Sequence, residues 1–384
     1  MNQNFNSSRL FLGSCMALVV TAMTFAIRAR LELVFQTDFQ LSSEDIGFAF
    51  APAFYGFTIA MIIGGPLVDI LGMKRIIWIA FICHAIGIVL TITATGFWSL
   101  FVGVLATGLG NGMVEAACNP LVTSLFPNEK IKMLNRFHVW FPGGIMIGSI
   151  IAYLMIDVAS LNWQMLVAVL ALPLVFYGYL FYGQELPKTE RVTLGISTGN
   201  MWRAVGSPLF IFMGFCMLLT ASTELGTNQR IDSLLQSTGV PAILVLAFIN
   251  GIMAIGRAFA GSVVHKLSSS GMLLFSAIFS FLGLIAMSYS SGAMTFVAAG
   301  LFAIGICYFW PTMLGFVSEK IPASGALGLS VMGGLGMFSV SIVLPVMGRF
   351  MDTSVTGAET LRYVAVLPVI LIVAFIFLFA RYRK

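Results

Sequence analysis

Charge is what this chain has least of: acidic and basic residues fill 9% of its 384 positions, while hydrophobic ones fill 59%. A water-soluble domain is excluded, because a globular surface needs roughly a quarter of the residues charged. Cysteine is scarce too. The five, Cys15, Cys83, Cys118, Cys216 and Cys307, lie in apolar runs without a C-x-x-C pair or a histidine at ligand spacing. Neither a disulfide framework nor a metal site is expected. The sequence has no G-x-x-x-x-G-K-[ST] loop and no H-E-x-x-H stretch, which removes support for ATP-driven work and zinc hydrolysis. With no nucleophile or cofactor constellation either, an enzyme is not expected. The net charge of +5 comes from basic residues scattered at the ends of apolar runs, so a nucleic-acid partner is not expected.

What is present is long apolar runs. A spanning helix takes about 20 apolar residues, and with a short loop on the order of 30, so this length fits twelve spans. They are expected near 10–34, 46–70, 74–95, 97–123, 135–157, 162–183, 208–230, 240–265, 270–290, 292–317, 325–350 and 360–380. The apolar run after Arg9 exceeds 20 residues and lacks a clear small-residue cleavage site, so it is expected to be a retained first helix. Fourteen of the 20 Lys and Arg, Lys74 and Arg75 among them, fall on one set of alternate loops. Five (Arg28, Arg30, Arg230, Arg349 and Arg362) fall on the other, and Arg257 lies inside a span. The bias puts both termini and the central connection in the cytoplasm, in a plasma (inner) membrane.

A shift of 195 or 196 residues lays Gly65 on Gly261, Asp69 on His265, Gly110 on Gly305, Glu115 on Trp310 and Pro127 on Pro322. The expected organisation is therefore an N-terminal six-helix bundle at 1–183, a cytoplasmic connection at 184–207 and a C-terminal six-helix bundle at 208–384. Parallel repeats of this kind are a transporter architecture, with the solute held near mid-membrane between the halves.

Costly residues inside the spans are the candidates for function. An ionisable group at the bilayer centre costs roughly 2.5 kcal/mol or more, so it faces the bundle interior or a wet cavity. Thr107, Asn111, Glu115 and Asn119 follow one another at i, i+4 in an otherwise apolar helix and read as one polar stripe. Glu115 is the candidate proton site, because burial disfavours its charged form; the competing reading is a carboxyl that only holds helices together. Asn111, Asn119 and Asn135 donate and accept, as paired hydroxyls require, and equally suit interhelical bonding. His138 shares a face with Asn135 and Pro142 and is a second proton candidate. His84, with only Thr91 as a polar neighbour on its own helix, reads as structural. Arg28 and Glu32 sit four apart and are expected to pair locally, and Arg28 facing the cavity would favour an anion. Glu224 and Asn228 join the substrate candidates from span seven, and Trp310 offers an aromatic face. Arg257 needs a partner, expected to be a carboxylate at the cytoplasmic side.

Between spans two and three the chain reads Gly65-Pro-Leu67-Val-Asp69-Ile-Leu-Gly72-Met-Lys74-Arg75. This resembles the signature loop of the major facilitator superfamily. The resemblance implies the fold of that superfamily and a conformational-switch role for Gly65, Asp69, Gly72, Lys74 and Arg75, to which Arg257 is joined. The run Glu115-Ala-Ala-Cys-Asn119-Pro120, with Leu134-Asn135-Arg-Phe-His138 and Gly143-Gly144, is similar to the fucose permease-like sugar:proton symporters. That similarity implies substrate and proton handling by Glu115. Span one departs from that family, carrying Arg28-Ala-Arg30-Leu-Glu32 where an Asn- and Asp-bearing segment is found.

The expectation is thus a monomeric, cofactor-free, twelve-helix all-α transporter taking a small polar solute with a proton by alternating access. Two other readings stay open: an organic-anion or drug transporter using Arg28, and a membrane sensor that binds without transporting.

Overall fold

The computed structural model describes residues 5–128, 130–189, 198–353 and 355–382, without side chains at 130–132, 135, 198, 200, 260–266 and 326. Among the described residues, eleven helices are long and apolar enough to cross a membrane: α1 (Ser7–Phe39), α2 (Ser43–Leu71), α3 (Met73–Ile92), α4 (Phe97–Leu125), α5 (Arg136–Val158), α6 (Trp163–Phe181), α7 (Pro208–Gln229), α9 (Leu267–Tyr289), α10 (Met294–Lys320), α11 (Leu327–Asp352) and α12 (Gly357–Tyr382). The shorter apolar helix α8 (Ala242–Ala258) completes the expected twelve. It stops well before residue 265, because the chain turns at Phe259 (φ −102°, ψ 8°) and the next helix starts at Ala260.

Burial sorts the helices into rings. The apolar core of α1 is 83% buried, whereas those of α3 and α12 are 33% buried, so α1 is wrapped by protein and the other two face lipid. Arg9 at the start of α1 donates to the carbonyls of Tyr179, Leu180 and Tyr182, which fixes the end of α6 beside the start of α1. That end carries both termini and is called the terminal end below; the other is the far end.

Glycine sets the close approaches, and they repeat. A Cβ on Gly110 of α4 would meet His84 of α3, and one on Gly305 of α10 would meet Ser280 of α9, 195 and 196 residues later. Gly87 against Thr107 and Gly283 against Phe302 repeat in the same way. The repeat in the sequence is therefore also a repeat in packing, at least where both copies are described; Gly261 and His265 fall outside the described side chains.

Two seams join the first six helices to the last six. Along one, α2 meets α11, where a Cβ on Gly47 would stand 2.6 Å from Pro345 Cα, and Thr58 donates to the Gly334 carbonyl at 2.8 Å. Along the other, α5 meets α8, with Gly251 against Met146. Small residues at such contacts let helices pack by dispersion where lipid supplies no hydrophobic drive.

Candidate functional site

Four side chains at i, i+4 do not stay on one face. Each step of four advances roughly 40° beyond a full turn, so Thr107 to Asn119 wind about a third of the way around α4. The structure separates the stripe accordingly. Asn111 is fully buried inside the first bundle: its amide donates to Thr24 Oγ1 at 3.2 Å and its carbonyl lies 2.9 Å from His84 Nε2. His84 Nδ1 reaches Tyr177 at 3.2 Å, so a buried chain ties α1, α4, α3 and α6 together. Asn111, a candidate solute contact in the sequence, is thus occupied by protein partners, and the structural role read for His84 gains partners that its own helix could not show.

Glu115 and Asn119 turn the other way. Asn119 donates to Glu115 Oε2 at 2.7 Å, and its carbonyl oxygen lies 3.0 Å from His138 Nε2. Glu115 is 9% exposed. Three of the candidate residues therefore form one chain between α4 and α5. Asn135 lies outside the described side chains.

Across from this chain, α7 relaxes into a π-helical turn, Ser222–Gly226, that presents Glu224. Such turns recur at functional sites because they displace side chains from the regular spiral. Glu224 Oε1 pairs with Arg257 Nη2 at 3.3 Å, both largely buried. The partner of Arg257 is thus a carboxylate of α7 within the second six helices, in place of the cytoplasmic-side acid expected. Arg257 is held a second time: Pro311 has no N–H to offer the carbonyl four residues back, and that carbonyl, of Cys307, accepts from Arg257 Nε at 3.1 Å. The charges of Glu115 and Arg257 both bear on His138. Asn228, one turn beyond Glu224, is 3% exposed and has no partner at either amide atom. Trp310 lies against the Gly336 backbone of α11.

At the far end Arg28, Arg30 and Glu32 of α1 each reach a residue of α7 or of the segment just after it. Arg28 Nε donates to Gln229 Oε1 at 2.8 Å, and Glu32 accepts from Arg230 Nη1 at 2.5 Å and from Ser233 at 2.8 Å. The local Arg28 to Glu32 pair is not formed, because each side chain has a partner on the facing helix. Arg230 is 1% exposed and its other terminal nitrogen donates to the carbonyls of Ser43 and Leu344 at 2.7 Å, so one guanidinium ties α1, α2 and α11 to the end of α7. Arg30 binds Asp157 at 2.8 Å and Asp232 at 3.4 Å. Asp352 accepts from the Ser43 and Glu44 backbone N–H groups at 2.9 and 2.7 Å, where the positive end of α2 favours a carboxylate. Burial pushes the Asp232 carboxyl up to about 8 against the opposing pull of Arg30.

Sequence reasoning passed over Arg230, Asp157 and Asp232. A signal was there: Arg28, Arg30 and Arg230 are three of the five basic residues on the side that the topology rule leaves poor. Basic residues that defy the rule need another reason to be present, and here it is pairing.

At the terminal end, Gly72 takes φ +84°, a conformation that favours glycine, and turns α2 into α3. Thr189 donates to Asp69 at 2.6 Å, Lys74 pairs with Glu185 at 2.9 Å, and Arg75 is exposed. No side chain or backbone atom lies within 4 Å of a Cβ built on Gly65.

The family model described as Major Facilitator Superfamily matches residues 10–331. A curated relative, the putative transporter SVOPL of Mus musculus, is 25% identical over 193 residues, 49% of this chain and 37% of that protein, so the match spans little more than a third of the relative. The xylose transporter XylE from E. coli, in a partially occluded inward open conformation, superposes with a TM-score of 0.80 at 12% identity over 98% of both chains. The E. coli fucose:proton symporter FucP (N162A) gives 0.66 at 17% identity over 96% of this chain and 98% of its own. The signature loop, the apolar helices and the family model agree: the chain is a multi-pass membrane protein and belongs to the Major Facilitator Superfamily.

Proposed function

We propose that the protein moves a small polar solute, a sugar, together with a proton by alternating access between two six-helix halves, 1–183 and 208–384, joined by residues 184–207. The reading rests above all on the chain Glu115, Asn119, His138, with links of 2.7 and 3.0 Å in the apolar surroundings of two membrane helices. A carboxylate there can accept from a sugar hydroxyl or take up a proton, so proton and solute compete for or share one group. The unpartnered amide of Asn228 offers a donor and an acceptor, which a polyol satisfies and an apolar solute does not. Sugar and sugar:proton transporters among the structures of similar fold support the same solute class.

Asp69, Gly72, Lys74, Arg75 and Arg257 belong in this scheme to the moving parts, and Glu224 with Asn228 to the second half's share of the solute site. In this reading the carrier is a monomer in the plasma membrane with both termini in the cytoplasm, an orientation that the basic bias of the loops supports, and the far end faces outward.

The test is uptake of labelled sugars into proteoliposomes under an imposed pH gradient. The wild type should accumulate its sugar, and Glu115→Gln should lose accumulation while keeping solute exchange at equal concentrations. Accumulation by Glu115→Gln that still follows the pH gradient would show the proton to be carried elsewhere.

A further inference from the structure

Arg28 is the odd member of the far-end charges. Glu32 is taken by Arg230, and Asp157 and Asp232 by Arg30. Among the described residues no carboxylate pairs with Arg28 or bears on its charge. Its one hydrogen-bond partner is the neutral amide of Gln229, and its Nη2 has none. The group is 6% exposed, with three phenyl rings around it: Phe25, Phe54 and Phe50, at 4.9, 5.1 and 5.9 Å from the guanidinium carbon. Ring faces offset part of a buried positive charge. An unpaired buried ion is costlier than rings alone can answer, so they leave a deficit.

Arg28 also lines a cavity of about 40 Å³ between α1, α2, α3, α4 and α6, with Phe50, Thr24, Thr91 and Thr107 in its wall. The three hydroxyls already donate to carbonyls of their own helices, so the guanidinium is the donor the wall has left. A water needs roughly 10–15 Å³ of such space, so the cavity has room for about three waters or for a monatomic ion. Water there would satisfy an N–H but leave the charge unanswered. The cavity lies within the first six helices, away from the Glu115 chain.

We propose that this cavity is a monovalent halide site, with chloride as the counter-ion of Arg28. Because Arg28 is also bonded to Gln229 across the seam, the bound ion strengthens the arrangement in which the far end is closed. A ligand that prefers one state shifts the population toward it. Chloride is then a state-selective effector and not a solute.

The experiment compares purified protein in chloride, bromide and gluconate at one ionic strength. Chloride and bromide should raise Tm saturably by a few degrees, gluconate should not, and Arg28→Gln should melt alike in all three. Coincident melting curves of the wild type in chloride and gluconate would overturn the site and leave water in the cavity. Should Arg28→Gln fail to fold, bromide-soaked wild-type crystals decide. An anomalous peak beside Arg28 supports the site, and its absence at saturating bromide refutes it. Solute transport enters neither readout, so the outcome stands apart from that of the Glu115 test.

Discussion

The far end and the middle of the molecule both place charged residues inside a membrane bundle, but they use them in opposite ways. At the far end Arg28 and Glu32 bond across from the first six helices to the last six, and Arg30 bonds to Asp157 of the first six and to Asp232 of the last six. The central pair, Glu32 with Arg230, is 0% and 1% exposed. In the middle the bonds stay on one side: Asn119 links Glu115 to His138 within the first six, and Arg257 links Glu224 to Cys307 within the last six. A transporter that rocks its halves apart has to break the first kind in every cycle and can keep the second kind throughout. The far-end bonds are therefore the ones that alternating access would break, and the middle bonds the ones it would keep.

The largest effect that this contrast predicts is at Arg230. Truncating it leaves the Glu32 carboxylate buried without its cation, a loss of roughly 3–5 kcal/mol for a broken buried pair. Arg230→Ala should melt far below the wild type in detergent, and the double change Glu32→Leu with Arg230→Met should recover much of the loss. A single truncation that melts like the wild type would mean that the pair contributes nothing to the closed far end.

Next in size are two asparagines eight residues apart on one helix. Asn111→Ala strips partners from His84 and Thr24 in a dry core and should cost about 1–3 kcal/mol of stability. Asn119→Ala breaks a half-buried link beside the proposed solute path. Its stability should change by less, while the lost bonds of about 1 kcal/mol weaken apparent solute affinity roughly fivefold. Melting and uptake measured on both variants check the distinction; equal destabilisation with equal loss of uptake would erase it.

How far the sequence could see follows the same line. Span number, the signature loop from Gly65 to Arg75 and the cost of Glu115 were legible, because each depends on neighbours within a few residues. The link from Asn119 to Glu115 was legible as well, at i, i+4. The divergence of Asn111 from Glu115 needed the rotation accumulated along α4, and the partners of Arg28, Glu32 and Arg257 lie 201, 198 and 33 residues away. Periodicity carries no information at those separations. Only the breach of the topology rule by Arg28, Arg30 and Arg230 pointed to them.

A further expected effect is a pH dependence at Asp232, which lies just beyond the end of α7 among Arg30, Glu32 and Asp157. Its folded-state value of about 8 stands above the ordinary aspartate value, so the folded protein binds a proton that the unfolded chain has released. That contribution to stability is whole at acid pH below the unfolded value and is lost as the pH climbs through about 8. Asparagine mimics the protonated acid, and Arg30 keeps its two bonds to Asp157 whatever stands at 232. Asp232→Asn should therefore match the wild type near pH 5 and melt higher near pH 9. Parallel melting profiles across that range would show that Asp232 stays ionised beside Arg30, and would make the far-end closure indifferent to the proton that the middle of the molecule is proposed to carry.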